Sequence, residues 1–64
     1  MQVNGKHLSL EKPISITEFL VQQGYQEDRV AVEKNKNIIP KKNFSTELLN
    51  DNDTLEIVNF VGGG

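Results

Sequence analysis

Apolar and polar residues alternate at the start of the chain, on both sides of an Asn4-Gly5 pair. Asn-Gly is typical of a two-residue type I′ turn, because both central residues of that turn need positive φ. Such a turn pairs Val3 with Lys6, and the register puts the apolar residues of both arms on one face of a β-hairpin. The predicted apolar face of this hairpin comprises Met1, Val3, Leu8 and Leu10.

The spacing of apolar residues becomes helical from Ile16 to Gln23. Ser15 precedes this segment and Glu18 follows three residues later, which is the capping-box pattern of a helix N-terminus. Gly24 can adopt the left-handed conformation that commonly ends a helix. We therefore predict one short amphipathic helix, whose buried face comprises Ile16, Phe19 and Leu20.

Two further strands are indicated in the middle of the chain. Arg29 to Glu33 alternates, with Val30 and Val32 on the buried face, and Ile38-Ile39 forms a short strand that ends at Pro40. An Asn-Lys-Asn turn joins them. The following segment, residues 41–49, has no clear period, and we expect it to pack on the core through its apolar residues Phe44, Leu48 and Leu49.

The last predicted strand runs from Thr54 to Val61. Its core face carries Leu55 and Ile57, which leaves Glu56, Val58 and Phe60 on the other face. Two outward apolar side chains indicate a surface that contacts a partner. The alternative, that the chain end folds Phe60 back onto the domain, is equally compatible with the sequence.

The order of the elements is strand, strand, helix, strand, short strand, strand. One helix covers only one face of a sheet, so we predict an α+β fold with a mixed sheet of four to five strands around one main helix. Residues 1–64 are expected to form a single domain, with a flexible tail at residues 62–64.

Composition narrows the possible functions of the chain. Its 64 residues contain no Cys and carry a formal net charge of -2. These values exclude a disulfide framework and a cysteine nucleophile, and they give little support to nucleic-acid binding. An apolar run of ~20 residues, as needed to span a membrane, does not occur, and we see no signal-peptide pattern. We expect a small soluble, cytoplasmic protein without nucleic-acid or membrane partners.

Conventional catalytic residues are weak candidates. The hairpin register points His7, the only His, outward without a partner. Asp51 and Asp53 resemble a metal-binding pair, but they lie in a turn where Asp side chains usually satisfy local backbone donors. Protection of an edge strand explains the basic residues Lys34, Lys36, Lys41 and Lys42. We expect neither an enzyme nor a protein that itself binds a metal or cofactor.

The chain ends in Val61-Gly62-Gly63-Gly64. The three glycines cannot form a phosphate-binding loop, because such a loop leads into a helix. They span about 10 Å when extended, and without side chains they can enter a narrow channel of another protein. A carboxylate there becomes a good electrophile only after activation, for instance adenylation by ATP. A frayed chain end is the alternative interpretation.

In order, spacing and total length these segments resemble the ThiS family, the sulfur carrier proteins of thiamin biosynthesis, which have the ubiquitin-like β-grasp fold. The resemblance covers the whole chain. Its features are the Asn4-Gly5 hairpin, the helix near residues 17–20, the strands around residues 30–40, the acidic turn and Gly63-Gly64. Asn52 departs from the Asp-Gly-Asp turn common in the family, although Asn tolerates the same backbone conformation.

The resemblance implies a mechanism. A ThiF-type adenylating enzyme would use ATP and Mg²⁺ to adenylate the carboxylate of Gly64. Sulfur that a cysteine desulfurase supplies as a persulfide would then replace AMP to give a thiocarboxylate, and thiazole synthase, ThiG, would take up that sulfur. Gly62 and Gly63 would provide access, and Val58, Phe60 and Val61 are the predicted partner-binding residues.

Two alternatives remain open at the level of the sequence. One is a related sulfur carrier, such as the small subunit of molybdopterin synthase. The other is a ubiquitin-like modifier or a noncovalent binding module.

Overall fold

The computed structural model describes residues 1–60. These residues form seven β-strands, one α-helix and two short 3₁₀-helices. The strands and the helix are β1 (Gln2–Val3), β2 (Lys6–His7), β3 (Ile14–Ser15), α1 (Ile16–Gln23), β4 (Val30–Lys34), β5 (Asn37–Ile39), β6 (Leu48–Leu49) and β7 (Thr54–Asn59). The 3₁₀-helices span Glu27–Arg29 and Lys41–Asn43.

Five strands form the main sheet, in the order β2-β1-β7-β4-β5. β1 runs parallel to β7 and the other pairs are antiparallel, so the sheet is mixed. The helix packs against one face of this sheet, and Ile16, Phe19 and Leu20 join the core from that side. The predicted α+β architecture, a β-grasp fold with a mixed sheet around one main helix, is confirmed.

The N-terminal hairpin forms in the predicted register. Gln2 lies opposite His7 and Val3 opposite Lys6, and the turn has positive φ at Asn4 (51°) and Gly5 (83°). Because this register turns the apolar positions inward, Met1 is buried, and Val3, Leu8 and Leu10 pack against the core.

The helix begins and ends at the predicted residues. The Ser15 hydroxyl accepts a hydrogen bond from the Glu18 amide at 3.0 Å, and this bond satisfies one free donor of the first turn. At the other end Gly24 is left-handed (φ 82°), which lets Tyr25 N donate to Leu20 O at 2.9 Å.

The segment between β5 and β7 contains a strand that the sequence did not predict. β6 pairs antiparallel with β3 as a separate two-stranded sheet. Phe44 and Leu49 are fully buried as expected, but the expectation that Leu48 also packs on the core is wrong, because successive strand residues face opposite sides and Leu48 is exposed. A two-residue strand is too short to show an alternating pattern in the sequence.

The core is one continuous cluster to which the helix and both sheets contribute. Val30, Val32, Leu55 and Ile57 fill it from the sheet, as the alternation of their strands predicted. β7 ends at Asn59, whereas the sequence suggested a strand as far as Val61, which lies outside the described residues.

Candidate functional site

The candidate site is built around β7, which lies inside the sheet between β1 and β4. The β4 pairing runs from Lys34 opposite Leu55 to Val30 opposite Asn59, and Phe60 N then donates to Arg29 O at 2.7 Å. With both neighbouring strands bound and alternate side chains in the core, β7 has a fixed register. The position of Phe60, the last described residue, is therefore fixed relative to the sheet.

The predicted reacting residue, Gly64, and the predicted access residues, Gly62 and Gly63, lie outside the described residues, as does Val61. The roles predicted for them stay predictions. The structure instead defines the strand that carries these residues and the surface beside it.

The face of the sheet opposite the helix carries the two apolar side chains that alternation placed outward. Val58 is 59% exposed and Phe60 is 51% exposed, so Phe60 does not enter the core. Two neighbours belong to the same face: Ala31 lies opposite Val58, and Ile38 is 74% exposed. We call these four residues, Ala31, Ile38, Val58 and Phe60, the outer patch.

Sequence reasoning missed Ala31 and Ile38. Ala31 lies between two buried valines, and alternation alone places it on the outward face. The pair Ile38-Ile39 carried a second signal, because adjacent strand residues cannot both face the core. Their assignment to one patch with Val58 required the pairing of β4 with β7 and β5.

A shallow groove of about 330 Å³ runs along the patch at Phe60 and Pro40. Lys41 lies at its rim, with Nζ 5.9 Å from the centre of the Phe60 ring, a distance that permits a cation–π contact. The same ammonium group donates to Asp28 O at 3.2 Å. Lys41 therefore lies beside the Phe60 ring, and about half of the Phe60 side chain remains exposed.

Two glutamates lie on the outer face at the end of β4 and β7 that is distant from Phe60. Glu33 on β4 lies directly opposite Glu56 on β7, and Ile38 lies opposite Glu33 on its other side. Neither carboxylate forms an ion pair within residues 1–60. Like charges opposite each other are unfavourable in a sheet, so Glu33 and Glu56 repel each other on the outer face.

The weak catalytic candidates do not assemble into a site. His7 is exposed and lies 3.4 Å from the Ser9 hydroxyl. Asp53 accepts a local hydrogen bond from Asn50 N at 2.8 Å, as expected, whereas Asp51 accepts from the distant Leu10 N at 2.8 Å. The described residues include no group of three acidic, His or Cys side chains that could hold a metal, and no helix among residues 1–60 is long and apolar enough to cross a membrane.

Both turn aspartates have shifted pKa values. The hydrogen bond from Leu10 N and the N-terminal ammonium group of Met1, 3.3 Å from Oδ1, lower the pKa of Asp51. Burial alone would raise the pKa of Asp53, but hydrogen bonds from Asn35 and Asn50 and the charge of Lys34 outweigh it and lower that pKa.

One part of the interpretation of the basic residues is wrong. Lys34 does not protect an edge strand, because β4 is an internal strand of the main sheet. Its Nζ lies 2.8 Å from Glu47 Oε2 and 3.9 Å from Asp53 Oδ2. The same Nζ also donates a hydrogen bond to Leu48 O at 2.9 Å. This ion pair ties the main sheet to the segment that contains β6. The other basic residues of the stretch, Lys36, Lys41 and Lys42, are exposed.

Comparison with known proteins gives consistent matches over the whole chain. The sequence model of the ThiS family matches residues 1–64. The chain is 40% identical over 65 residues to the sulfur carrier protein ThiS of Bacillus subtilis, covering 100% of this chain and 98% of that protein. It superposes on the crystal structure of a thiamine biosynthesis protein (ThiS) from Geobacter metallireducens with a TM-score of 0.83 and 30% identity, covering 98% of this chain and 96% of that one.

A longer protein contains a similar segment. The chain is 37% identical over 62 residues to a thiazole synthase of Paramagnetospirillum magneticum, covering 97% of this chain but 19% of that protein. With the family match, the relative of equal length and the shared fold in agreement, this chain belongs to the ThiS family.

Proposed function

We propose that this protein is the sulfur carrier for formation of the thiazole ring of thiamin, and that Gly64 carries the sulfur as a C-terminal thiocarboxylate. The observation that carries the proposal is the full-length match to the ThiS family in a chain that ends in three glycines. The similarity to a segment of a thiazole synthase supports thiazole synthase as the sulfur acceptor.

The chemistry needs a partner that activates the carboxylate. An oxygen of the Gly64 carboxylate attacks the α-phosphorus of ATP and releases pyrophosphate, which makes AMP a good leaving group on the acyl carbon. The outer sulfur of a persulfide that a cysteine desulfurase generates then attacks the acyl carbon and displaces AMP. A thiol cleaves the S–S bond of the resulting acyl disulfide, which releases the thiocarboxylate and leaves a disulfide on the sulfur donor. A ThiF-type adenylating enzyme binds the ATP and Mg²⁺ for this reaction, so the carrier itself acts as a substrate and not as a catalyst.

The carrier contributes position and access. The Phe60–Arg29 hydrogen bond and the β4 pairing fix the position of Phe60, the last described residue. From there Gly62 to Gly64 can reach into an active site without steric hindrance from side chains. The outer patch provides the apolar docking surface, with Val58 and Phe60 closest in sequence to the reacting end and Val61 next to them.

The test is the intact mass of the protein before and after incubation with ATP, Mg²⁺, a ThiF-type enzyme, a persulfide and a thiol reductant. We expect a mass gain equal to one oxygen replaced by one sulfur, mapped to Gly64. The matched control carries one extra residue after Gly64; it should fold normally and gain no mass. An unchanged mass for the native chain, with an enzyme shown to activate a known carrier, would refute the proposal.

A ubiquitin-like modifier would give a different result in the same experiment. Its activated carboxyl group would appear in isopeptide bonds to lysines of other proteins and not as a thiocarboxylate. A carrier for another sulfur pathway would form the thiocarboxylate but would not deliver sulfur to thiazole synthase.

A further inference from the structure

β7 changes from an internal strand to an edge strand near its C-terminal end. Its parallel pairing with β1 covers Thr54 and Leu55, and β1 ends at Val3, directly before the hairpin turn at Asn4 and Gly5. Its antiparallel pairing with β4 continues to Asn59. The last part of β7 therefore has a neighbouring strand on one side only, within the part of the chain that the structure describes.

On the side of β7 that faces β1, the side chain of Asn4 adds one more pair of hydrogen bonds beyond the end of β1. Its Oδ1 accepts from Ile57 N at 2.8 Å, and its Nδ2 donates to Ile57 O at 3.3 Å. The amide of the side chain thereby takes the place of a backbone peptide group beside Ile57. No further residue of the hairpin follows in that direction, because the chain turns back at Gly5.

The next backbone groups on this side belong to Asn59. Phe60 N bonds to Arg29 O and Thr54 O accepts from Asn35 N, so even-numbered residues of β7 point their backbone groups toward β4. Odd-numbered residues point toward β1, as Leu55 and Ile57 do. The N–H and C=O of Asn59 consequently point to the open side, and they form no hydrogen bond with any residue in 1–60.

We propose that this open edge at Asn59 receives an extended segment of thiazole synthase, which adds to the sheet as a strand beside β7. The inference deepens the proposed function and rests on it. Such strand addition uses main-chain hydrogen bonds for affinity and fixes the direction of the bound chain. At Asn59 those bonds form three residues before Gly62, where they set the direction in which the glycines leave.

Three features favour this occupant. An unpaired strand edge is a ready template for another strand, and this one is short and lies next to the reacting end. Val58 and Phe60, on either side of Asn59, are exposed on the outer face, so an added strand gains apolar contacts as well. The similarity of this chain to a segment of thiazole synthase indicates that the two proteins work in close association.

The first test removes the backbone N–H of Asn59, which would donate a hydrogen bond to the added strand. Asn59→Pro removes the donor without breaking a bond to β4, and Asn59→Ala is the matched control that keeps the backbone N–H but loses the side chain. We expect Asn59→Pro to form thiocarboxylate normally on the adenylating enzyme, and to bind thiazole synthase about tenfold more weakly because a synthase carbonyl is left unpaired. Asn59→Ala should bind like the native carrier.

A second measurement avoids any effect of proline on folding. Amide hydrogen exchange of the native carrier should show protection of the Asn59 N–H on addition of thiazole synthase, while the Val58 N–H, which points toward β4, is protected in both states. Unchanged exchange at Asn59, an equal loss of binding in Asn59→Ala, or a defect confined to adenylation would overturn the proposal. Failure of the native chain to form thiocarboxylate would instead refute the proposed function itself.

Discussion

Asn35 and Asp53 join two turns that lie 18 residues apart. Asn35 Nδ2 donates to Asp53 Oδ1 at 3.0 Å, and Asn35 Oδ1 accepts from Thr54 N at 2.9 Å. Asp53 is the one buried charged side chain among residues 1–60, and its other oxygen accepts from Asn50 N. Together these bonds hold the turn after β4 against the start of β7, which is the strand that precedes the C-terminal glycines.

We expect the stability of the protein to fall in acid. The folded pKa of Asp53 and that of Asp51 are lowered, so the unfolded chain binds more protons and unfolding is favoured as pH falls. Their contribution is fully present above the unfolded Asp pKa of about 3.9 and is lost as pH falls through the folded values. Urea denaturation at a series of pH values from about 7 down to about 2, a range that brackets the ordinary Asp pKa, measures this dependence.

The variant Asp53→Asn measures how much the charged Asp53 carboxylate contributes to stability. It should lower the free energy of unfolding at neutral pH by about 1–3 kcal/mol, because hydrogen bonds to a charged, buried acceptor are weakened. It should also show a smaller loss of stability in acid. Asp28→Asn, an equal change of charge at an exposed carboxylate, is the control. Equal acid dependence in the native chain and Asp53→Asn would show that Asp53 does not contribute.

Asn4→Asp is expected to destabilise the fold even though Asp tolerates the turn. The carboxylate cannot donate to Ile57 O and places a negative charge beside that carbonyl, so a loss of about 1–3 kcal/mol is expected. Asn52→Asp, the same substitution in an exposed turn, should leave stability nearly unchanged. If thermal or urea unfolding gave the same stability for both variants, the bond between Asn4 and Ile57 would have no energetic role.

Replacing either of the opposed carboxylates, Glu33 or Glu56, with a lysine is expected to stabilise the protein. Glu33→Lys or Glu56→Lys replaces a like-charge pair with an opposite-charge pair, and each should raise the free energy of unfolding by about 0.2–1 kcal/mol at low salt. The double variant restores a like-charge pair and should return close to the native value. Additive gains in the double variant would mean that the two residues do not interact.

Phe60→Ala tests the docking role of the outer patch. Since Phe60 is half exposed, the variant should lose little stability, whereas binding to the adenylating enzyme should weaken about tenfold or more if Phe60 anchors the interface. Val21→Ala, at a 72% exposed position on the helix, is the matched control. An unchanged dissociation constant, or global unfolding, would contradict a docking role for Phe60.

Elements that depend on local interactions could be predicted from the sequence. The register of the Asn4-Gly5 hairpin follows from a two-residue turn, and the limits of the helix follow from the Ser15 cap and the left-handed Gly24. The outward direction of Val58 and Phe60 follows from strand alternation alone. In each case the deciding interaction spans only a few residues.

What only the tertiary structure decided depends on residues far apart in the chain. The bond of Asn4 to Ile57 spans 53 residues, and the Lys34–Glu47 pair joins the main sheet to the segment that contains β6. The grouping of Ile38 with Val58 and the open edge at Asn59 follow from the order of strands in the sheet. The sequence by itself determined the hairpin turn, the helix, the side-chain directions on β4 and β7 and the glycine-rich end. Strand order and long-range bonds required the complete fold, because the free energy that selects them comes from packing all the elements on one core.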